Sequence, residues 1–171
     1  YYYDHRTLYK RYDISGSFLT PKANPDSAGH EVDDGHLFIL GHRMTSYYGE
    51  WKFSNLPYRY GTESAAGKNK YVYIYYPDRA VRYKIWMGLD AYGSDMIYYI
   101  PTKIGTKSYS DMIQHARDIA RYECEDAFWN ADIHTLFLST CQQFNDGSWQ
   151  RFVAVFVEDD VARHERGIAV V

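Results

Sequence analysis

The sequence of 171 residues lacks a long hydrophobic run, and none approaches the ~18 residues that a membrane-spanning helix needs. It also lacks a signal-peptide pattern; because it begins abruptly at Tyr1, we expect it to be the soluble part of a longer protein. No excess of basic charge is present, since 19 basic and 22 acidic side chains give a formal net charge of −3. Phosphate binding needs a basic face, so this balance argues against nucleic acid as a partner.

Several sequence motifs of known enzyme classes are also missing, among them those that bind cofactors and metals. The sequence has no P-loop, no glycine-rich dinucleotide fingerprint and no G-x-S-x-G elbow. It contains no H-x-x-x-H, HExxH or CxxC pair, and its acidic groups at 33–34 and 158–160 lack the spaced oxygen ligands of a calcium loop. We therefore expect neither a cofactor nor a metal. The two cysteines, Cys124 and Cys141, do not make a disulfide framework.

Tyrosine is abundant, with 19 residues, and it suits half-buried strand surfaces. Since no long linker or internal repeat divides the chain, residues 1–171 are predicted to form a single domain. Apolar or alternating runs predict strands at His36–Leu40, Lys70–Pro77, Ala80–Tyr92, Asp95–Pro101, His134–Cys141 and Arg151–Val157. The first run is continuous, which is typical of a strand buried on both faces. This order predicts a mainly-β barrel rather than a doubly wound sheet.

One late segment has helical rather than strand periodicity. Apolar residues recur at helical spacing at Met112, Ile113, Ala116, Ile119, Ala120 and Cys124. Ser108 and Ser110 precede them as N-cap candidates. Cys124 lies on the apolar stripe of this predicted helix, so we interpret it as a small core residue. Tyr1–Tyr12 is interpreted as a short helix or an irregular arm.

Cys141 lies at the end of a predicted strand, where functional residues are often placed. If the last two strands form a hairpin, Arg151 begins the return strand close to it. A guanidinium there would favour the thiolate, or would hold an oxyanion near the sulfur. The alternative, a core cysteine and a surface arginine, stays open at this stage.

A cysteine nucleophile normally requires a histidine nearby. Of the seven histidines, His42 stands out because it follows the buried strand His36–Leu40 after a single glycine, Gly41. A structural histidine at a strand terminus is the alternative interpretation.

With these three residues identified, the sequence resembles a class B sortase. "HTLFLSTC" followed by "WQRF" is similar to the family's Thr-Leu-x-Thr-Cys signature with an arginine on the following strand. "LFILGHRM" with "FSNLPYRY" resembles its histidine block, and "YKRYDISGSFL" resembles the stretch that enters the first barrel strand. A helix between two late strands, here predicted over Tyr109–Glu125, also fits class B.

The resemblance implies a closed β-barrel with an N-terminal helical segment and one longer helix between late strands. It implies that Cys141 is the nucleophile, His42 the general acid and Arg151 the donor to the carbonyl or oxyanion. The substrate-binding residues that it implies are Ser139, Thr140, Tyr98, Tyr99 and Ile100. Arg43 departs from the family's asparagine, and Gln143 stands where many members carry an acid, which favours Cys-His-Arg over Cys-His-Asp.

The implied reaction is acyl transfer at the extracellular face of the cytoplasmic membrane, to which an N-terminal anchor absent from this chain would attach the enzyme. A thioester would form at the threonine of an Asn-Pro-x-Thr-like sorting signal on a surface protein or pilin. The acyl group would then pass to an amine of a peptidoglycan precursor or to a pilin lysine. The sequence leaves two alternatives open: a pilin-polymerising sortase, and a non-catalytic, tyrosine-rich barrel that binds glycan or peptide.

Overall fold

The computed structural model describes residues 36–43, 53–75, 79–98, 103–142 and 150–163. Within them, in chain order, lie β1 (His36–Leu40), α1 (Leu56–Tyr60), α2 (Glu63–Ala66), β2 (Tyr71–Tyr75), β3 (Arg79–Tyr92), a 3-10 turn (Met96–Tyr98), α3 (Lys107–Asp118), β4 (Ala120–Glu123), β5 (Thr135–Cys141) and β6 (Gln150–Arg163). The predicted N-terminal helical segment and the first barrel strand lie outside the described residues. None of the described helices is long and apolar enough to cross a membrane.

The six described strands form one curled sheet in the order β1-β5-β6-β3-β2, and β4 also pairs with β3. β1 and β5 are parallel, whereas the other pairs are antiparallel. Register shifts at Arg82/Tyr83 and Ile85/Met87 interrupt the long β3–β6 ladder, and such bulges increase strand twist. The predicted mainly-β architecture is confirmed.

The centre of the sheet, formed by β5 and β6, is buried on both faces, and helices lie on each side of it. On one side, here called the α3 face, Phe38, Phe137, Val153, Val155 and Leu89 pack with residues of α3, namely Tyr109, Met112, Ile113 and Ala116. On the other side, here called the α1 face, Leu136, Leu138, Phe152, Ala154 and Phe156 pack with Leu56, Tyr60 and Ala66 of α1 and α2. β5 lies between these two cores, and its first six residues are buried.

The predicted long helix was wrong in its second half. α3 ends at Asp118, and its N-cap is Thr106, whose hydroxyl accepts the Tyr109 N–H at 3.3 Å, rather than Ser108 or Ser110. Residues 120–123 form β4, because the backbone here pairs with β3 and the Cys124 N–H donates to the Trp86 carbonyl at 2.7 Å. Tertiary pairing thus overrides a local pattern that fits a helix.

The described part of the predicted strand Asp95–Pro101 is also different. Met96–Tyr98 form a 3-10 turn, because the Asp95 carboxylate accepts the Ile97 N–H at 3.2 Å and the Asp95 carbonyl accepts the Tyr98 N–H at 3.1 Å. These local bonds compete with strand pairing.

Candidate active site

The ends of β5 and β6 place Cys141 directly opposite Arg151. The antiparallel register runs from Thr135 opposite Val157 to Cys141 opposite Arg151, and beyond it the Gln142 N–H donates to the Gln150 carbonyl at 3.1 Å. The predicted hairpin between the last two strands is therefore confirmed. Cys141 is partly exposed, unlike the six residues before it.

β1 approaches Cys141 from the other side. Its parallel register with β5 ends at Leu40 opposite Ser139, and the Gly41 N–H continues the ladder by donating to the Ser139 carbonyl at 3.0 Å. His42 comes two residues after Leu40, just past the end of β1. The end of β5 thus lies between the end of β1 and the start of β6, so the three candidate residues belong to neighbouring strand ends.

Cys141 and Arg151 belong to the α3 face of the sheet. Alternation along β5 puts Phe137, Ser139 and Cys141 on one face, and Phe137 lies in the core beneath α3. Val153 and Val155 assign the same face to Arg151 on β6. On β1, Phe38 and Leu40 pack on this core too.

Tyr98 contacts both β5 and β1 on the α3 face. Its hydroxyl lies 2.8 Å from Ser139 Oγ, and its ring packs on Phe38 with centroids 4.9 Å apart. Burial raises the pKa of Tyr98, while the Ser139 hydrogen bond and the positive charge of Arg151 act to lower it. Cys141 also acts on the pKa of this phenol, in the raising direction. The phenol stays protonated at neutral pH and can donate a hydrogen bond.

The remaining predicted binding residues have different positions. Ser139 is fully buried and contacts Tyr98 through its hydroxyl. Thr140 belongs to the opposite face of β5, where its buried Oγ1 has no hydrogen-bond partner among the described residues. Its side chain is therefore not brought to the Cys141 side. Tyr99 and Ile100 lie outside the described residues.

The guanidinium of Arg151 is partly buried, and its Nη1 donates to the Gln150 carbonyl at 3.0 Å. This bond restricts the side chain at the strand end. A planar cation held beside a cysteine can bind a carbonyl or a developing oxyanion. Within the described ranges, no group of three or more histidine, cysteine or acidic side chains is placed to hold a metal.

The second cysteine lies in a different environment. Cys124 follows β4 and is 7% exposed, packed on the α1 face. Burial, together with the carboxylates of Glu63 and Asp126, raises its thiol pKa to about 11. The predicted burial of Cys124 is confirmed, although it follows a strand and does not lie on a helix. A thiol of this kind is a poor nucleophile at neutral pH.

Sequence reasoning missed two contributors to this arrangement. Asp95 fixes the turn that carries Tyr98, and His115 on α3 contacts Asp95 through Nε2 at 2.9 Å. The stretch Gly93-Ser94-Asp95 carries a turn signal that could have located the capping aspartate. The partner on α3 is 20 residues further along, a distance over which local patterns carry no information.

Comparison with solved structures reveals strong similarity in fold. Clostridium perfringens sortase B matches with a TM-score of 0.75 and 23% identity, over 93% of this chain and 81% of that one. A Staphylococcus aureus sortase B–substrate complex matches at 0.74 and 15% identity, over 93% and 69%. A Streptococcus pyogenes class B sortase involved in pilus biogenesis matches at 0.71 and 18%, over 92% and 79%. No protein-family model matches the sequence, and no curated protein matches it significantly. The chain therefore shares the fold of class B sortases.

Proposed function

We propose that the protein is a sortase-type cysteine transpeptidase. The observation that carries the proposal is the pairing of Cys141 at the end of β5 with Arg151 of β6, while β1, which His42 follows, ends beside β5 on its other side. Each residue has one role in acyl transfer. The shared fold of the class B sortase structures supports this assignment.

In the first half-reaction the Cys141 sulfur attacks the threonine carbonyl of a sorting signal that resembles Asn-Pro-x-Thr. Arg151 stabilises the oxyanion that forms, and His42 gives a proton to the departing amine nitrogen. The products are a thioester on Cys141 and a released C-terminal peptide.

In the second half-reaction an amine attacks the thioester carbonyl, gives up a proton to His42 and displaces the Cys141 thiolate, which restores the enzyme. The amine belongs to a cell-wall precursor; a pilin lysine is the alternative acceptor, which one similar structure involved in pilus biogenesis brings into consideration. The sorting-signal proteins and the amine meet at the extracellular face of the membrane.

The residues proposed for substrate binding line the place beside Cys141 that receives the acyl part of the peptide. Ser139 lies two residues before Cys141 on the same face of β5, and Tyr98 contacts Ser139 through its hydroxyl. Tyr99, Ile100 and Thr140 complete the proposed set, and Thr140 contributes through the strand backbone because its side chain belongs to the other face.

The test is mass spectrometry of the intact protein after incubation with a peptide library of sorting-signal type. We expect a single acyl adduct on Cys141 that nucleophilic amines release, with formation of the matching amide. Glycine peptides and a lysine-containing pilin peptide, offered separately, distinguish the two acceptors.

Cys141→Ala should form no adduct, and Cys124→Ala is the matched control that should form it normally. An adduct on Cys124, or turnover in folded Cys141→Ala protein, would contradict the assignment. Peptide binding without any adduct would instead favour the non-catalytic binding module.

A further inference from the structure

The 3-10 turn Met96–Tyr98 is too short to hold its own position. A single turn of this type has few internal hydrogen bonds and poor hydrogen-bond geometry. Its placement therefore depends on contacts with the rest of the fold. Ile97 provides one, since it is 2% exposed in the core of the α3 face.

Asp95 provides a second and directional contact. One carboxylate oxygen, Oδ1, accepts the Ile97 N–H at 3.2 Å and also lies 2.9 Å from His115 Nε2. A carboxylate can only accept, so the imidazole nitrogen donates in this pair. Asp95 is the more enclosed partner, with 14% of its side chain exposed against 32% for His115. A hydrogen bond to a charged acceptor at such a site is stronger than a neutral one.

The helix at the other end of this link is rigidly held. Met112, Ile113 and Ala116, which flank His115 on α3, are completely buried in the same core. The Tyr109 hydroxyl additionally donates to the Ile133 carbonyl at 2.8 Å. α3 is consequently held firmly in the core, and the hydrogen bond from His115 attaches the turn to this helix.

The consequence appears at Tyr98, the last residue of the turn. Its hydroxyl lies 2.8 Å from Ser139 Oγ, and Ser139 shares a face with Cys141 two residues further along β5. A shift of the turn would move the phenol away from Ser139 and change the wall beside the cysteine. Misplacement of a binding group by about 1 Å can reduce activity by about 10²-fold.

We propose that Asp95 and His115 are positioning residues, which hold Tyr98 against Ser139 and so shape the site that receives the acyl part of the peptide beside Cys141. This inference rests on the proposed function for its catalytic meaning. Neither residue touches the reacting atoms, so their loss affects recognition of the peptide more than the chemistry at Cys141.

Three variants test the pair. His115→Phe keeps a planar ring and removes the hydrogen-bond donor, whereas His115→Gln retains a nitrogen donor. Gln114→Ala is the control: it perturbs the same helix by removing the exposed hydrogen bond from Gln114 to Asp118, which is 2.9 Å long. For cleavage of one sorting-signal peptide we expect His115→Phe to raise KM about tenfold and to change kcat less than about threefold, as loss of one charged hydrogen bond implies. His115→Gln should recover a KM within about threefold of the unaltered protein, and Gln114→Ala should leave KM unchanged.

A second readout does not depend on activity. Amide hydrogen exchange at Ile97 and Tyr98 should be about tenfold faster in His115→Phe, and near the original rate in His115→Gln. Equal KM values for the Phe and Gln variants, or unchanged exchange in His115→Phe, would overturn the positioning role. If the unaltered protein cleaves no peptide while exchange responds as expected, the proposed function fails and the structural link between α3 and Tyr98 stands.

Discussion

Cys141 is the last residue of β5 and Cys124 directly follows β4 of the same sheet, yet the two thiols have different surroundings. Cys141 is partly exposed and is paired with Arg151 across the ladder. Cys124 is buried among apolar side chains, and the nearby Glu63 and Asp126 oppose formation of its thiolate. The residue type is identical, so the difference in surroundings is what favours Cys141 as the nucleophile candidate.

Accessibility to small molecules does not by itself distinguish the two cysteines. Cys124 lines a cavity of about 450 Å³ together with Glu63, Ser64, Gly67, Lys70, Ile85, Glu125 and Asp126. A small molecule could therefore reach the vicinity of this thiol. What the Cys124 region lacks, among its described neighbours, is the pairing of a proton donor with an oxyanion donor; Lys70 there forms an ion pair with Asp126 at 3.0 Å.

The largest expected effect concerns the proton donor. We expect His42→Ala to reduce peptide cleavage by about 10²–10⁴-fold, because the leaving amine then departs without general acid assistance. The measurement is kcat/KM on one peptide, with His134→Ala as a control in which another strand-end histidine is removed. His134 lies 3.4 Å from Glu158 at the opposite end of β5, and its loss should leave cleavage nearly unchanged. A loss of only a few-fold in His42→Ala would rule out the general-acid role.

The second effect separates geometry from charge at Arg151. Losing one preorganised oxyanion donor typically costs about 10²–10³-fold in kcat, and we expect this loss in Arg151→Ala. Arg151→Lys should be nearly as impaired, because an ammonium cannot reproduce the planar donor geometry of the guanidinium. The comparison uses turnover of both variants on the same peptide, beside the alkylation rate of Cys141 in each.

If Arg151→Lys retains activity within a few-fold of the original, the oxyanion role is wrong and only a general electrostatic role remains. The bond from Nη1 to the Gln150 carbonyl supports the geometric role, since it aims the side chain along the strand end.

The site illustrates which parts of a fold can be predicted from sequence. The β5–β6 hairpin and the opposition of Cys141 and Arg151 followed from apolar runs around one turn, and the register confirms both. Strands β1, β2 and β3 were predicted on the same basis. The parallel pairing of β1 with β5 could not be derived locally, because the residues that it joins, such as His36 and Thr135, are 99 positions apart.

The errors share a physical cause. Residues Ile119–Cys124 fit a helical stripe as well as a strand, and only the partner β3 decides between them. Likewise, the apolar run around Met96–Tyr98 suits a strand until Asp95 and His115 fix it as a turn. Short segments with ambiguous periodicity are therefore decided by tertiary contacts. The roles of His42, Cys141 and Arg151 in catalysis stay predictions.

The third prediction concerns the reactivity of the two thiols, which chemical labelling compares directly. At pH 8 a small methanethiosulfonate should modify Cys141 in the native protein at least about tenfold faster than Cys124, because the thiolate is the reactive species. With its pKa raised to about 11, Cys124 has only about one part in a thousand as thiolate at this pH. Mass spectrometry after proteolysis assigns each label to its cysteine. Equal rates at both sites would remove the distinction on which the choice of nucleophile depends, whereas labelling of both after unfolding is the internal control.

The smallest effect is a stability change at the buried thiol. Cys124→Ala removes one buried heavy atom and should cost about 1 kcal/mol in the free energy of unfolding, with turnover unchanged.

The cost of this substitution should depend on pH in one direction. The folded protein holds the Cys124 pKa near 11, above the ordinary value of 9.0, so between these values the unfolded chain releases a proton that the folded protein keeps. This contribution to stability is complete below pH 9 and is lost as the pH rises toward 11. The difference between the two proteins, measured by urea unfolding at several pH values, should therefore shrink above pH 9. A difference that stays constant to pH 11 would mean that burial does not disfavour the thiolate, and the contrast with Cys141 would then depend on the neighbours of that residue alone.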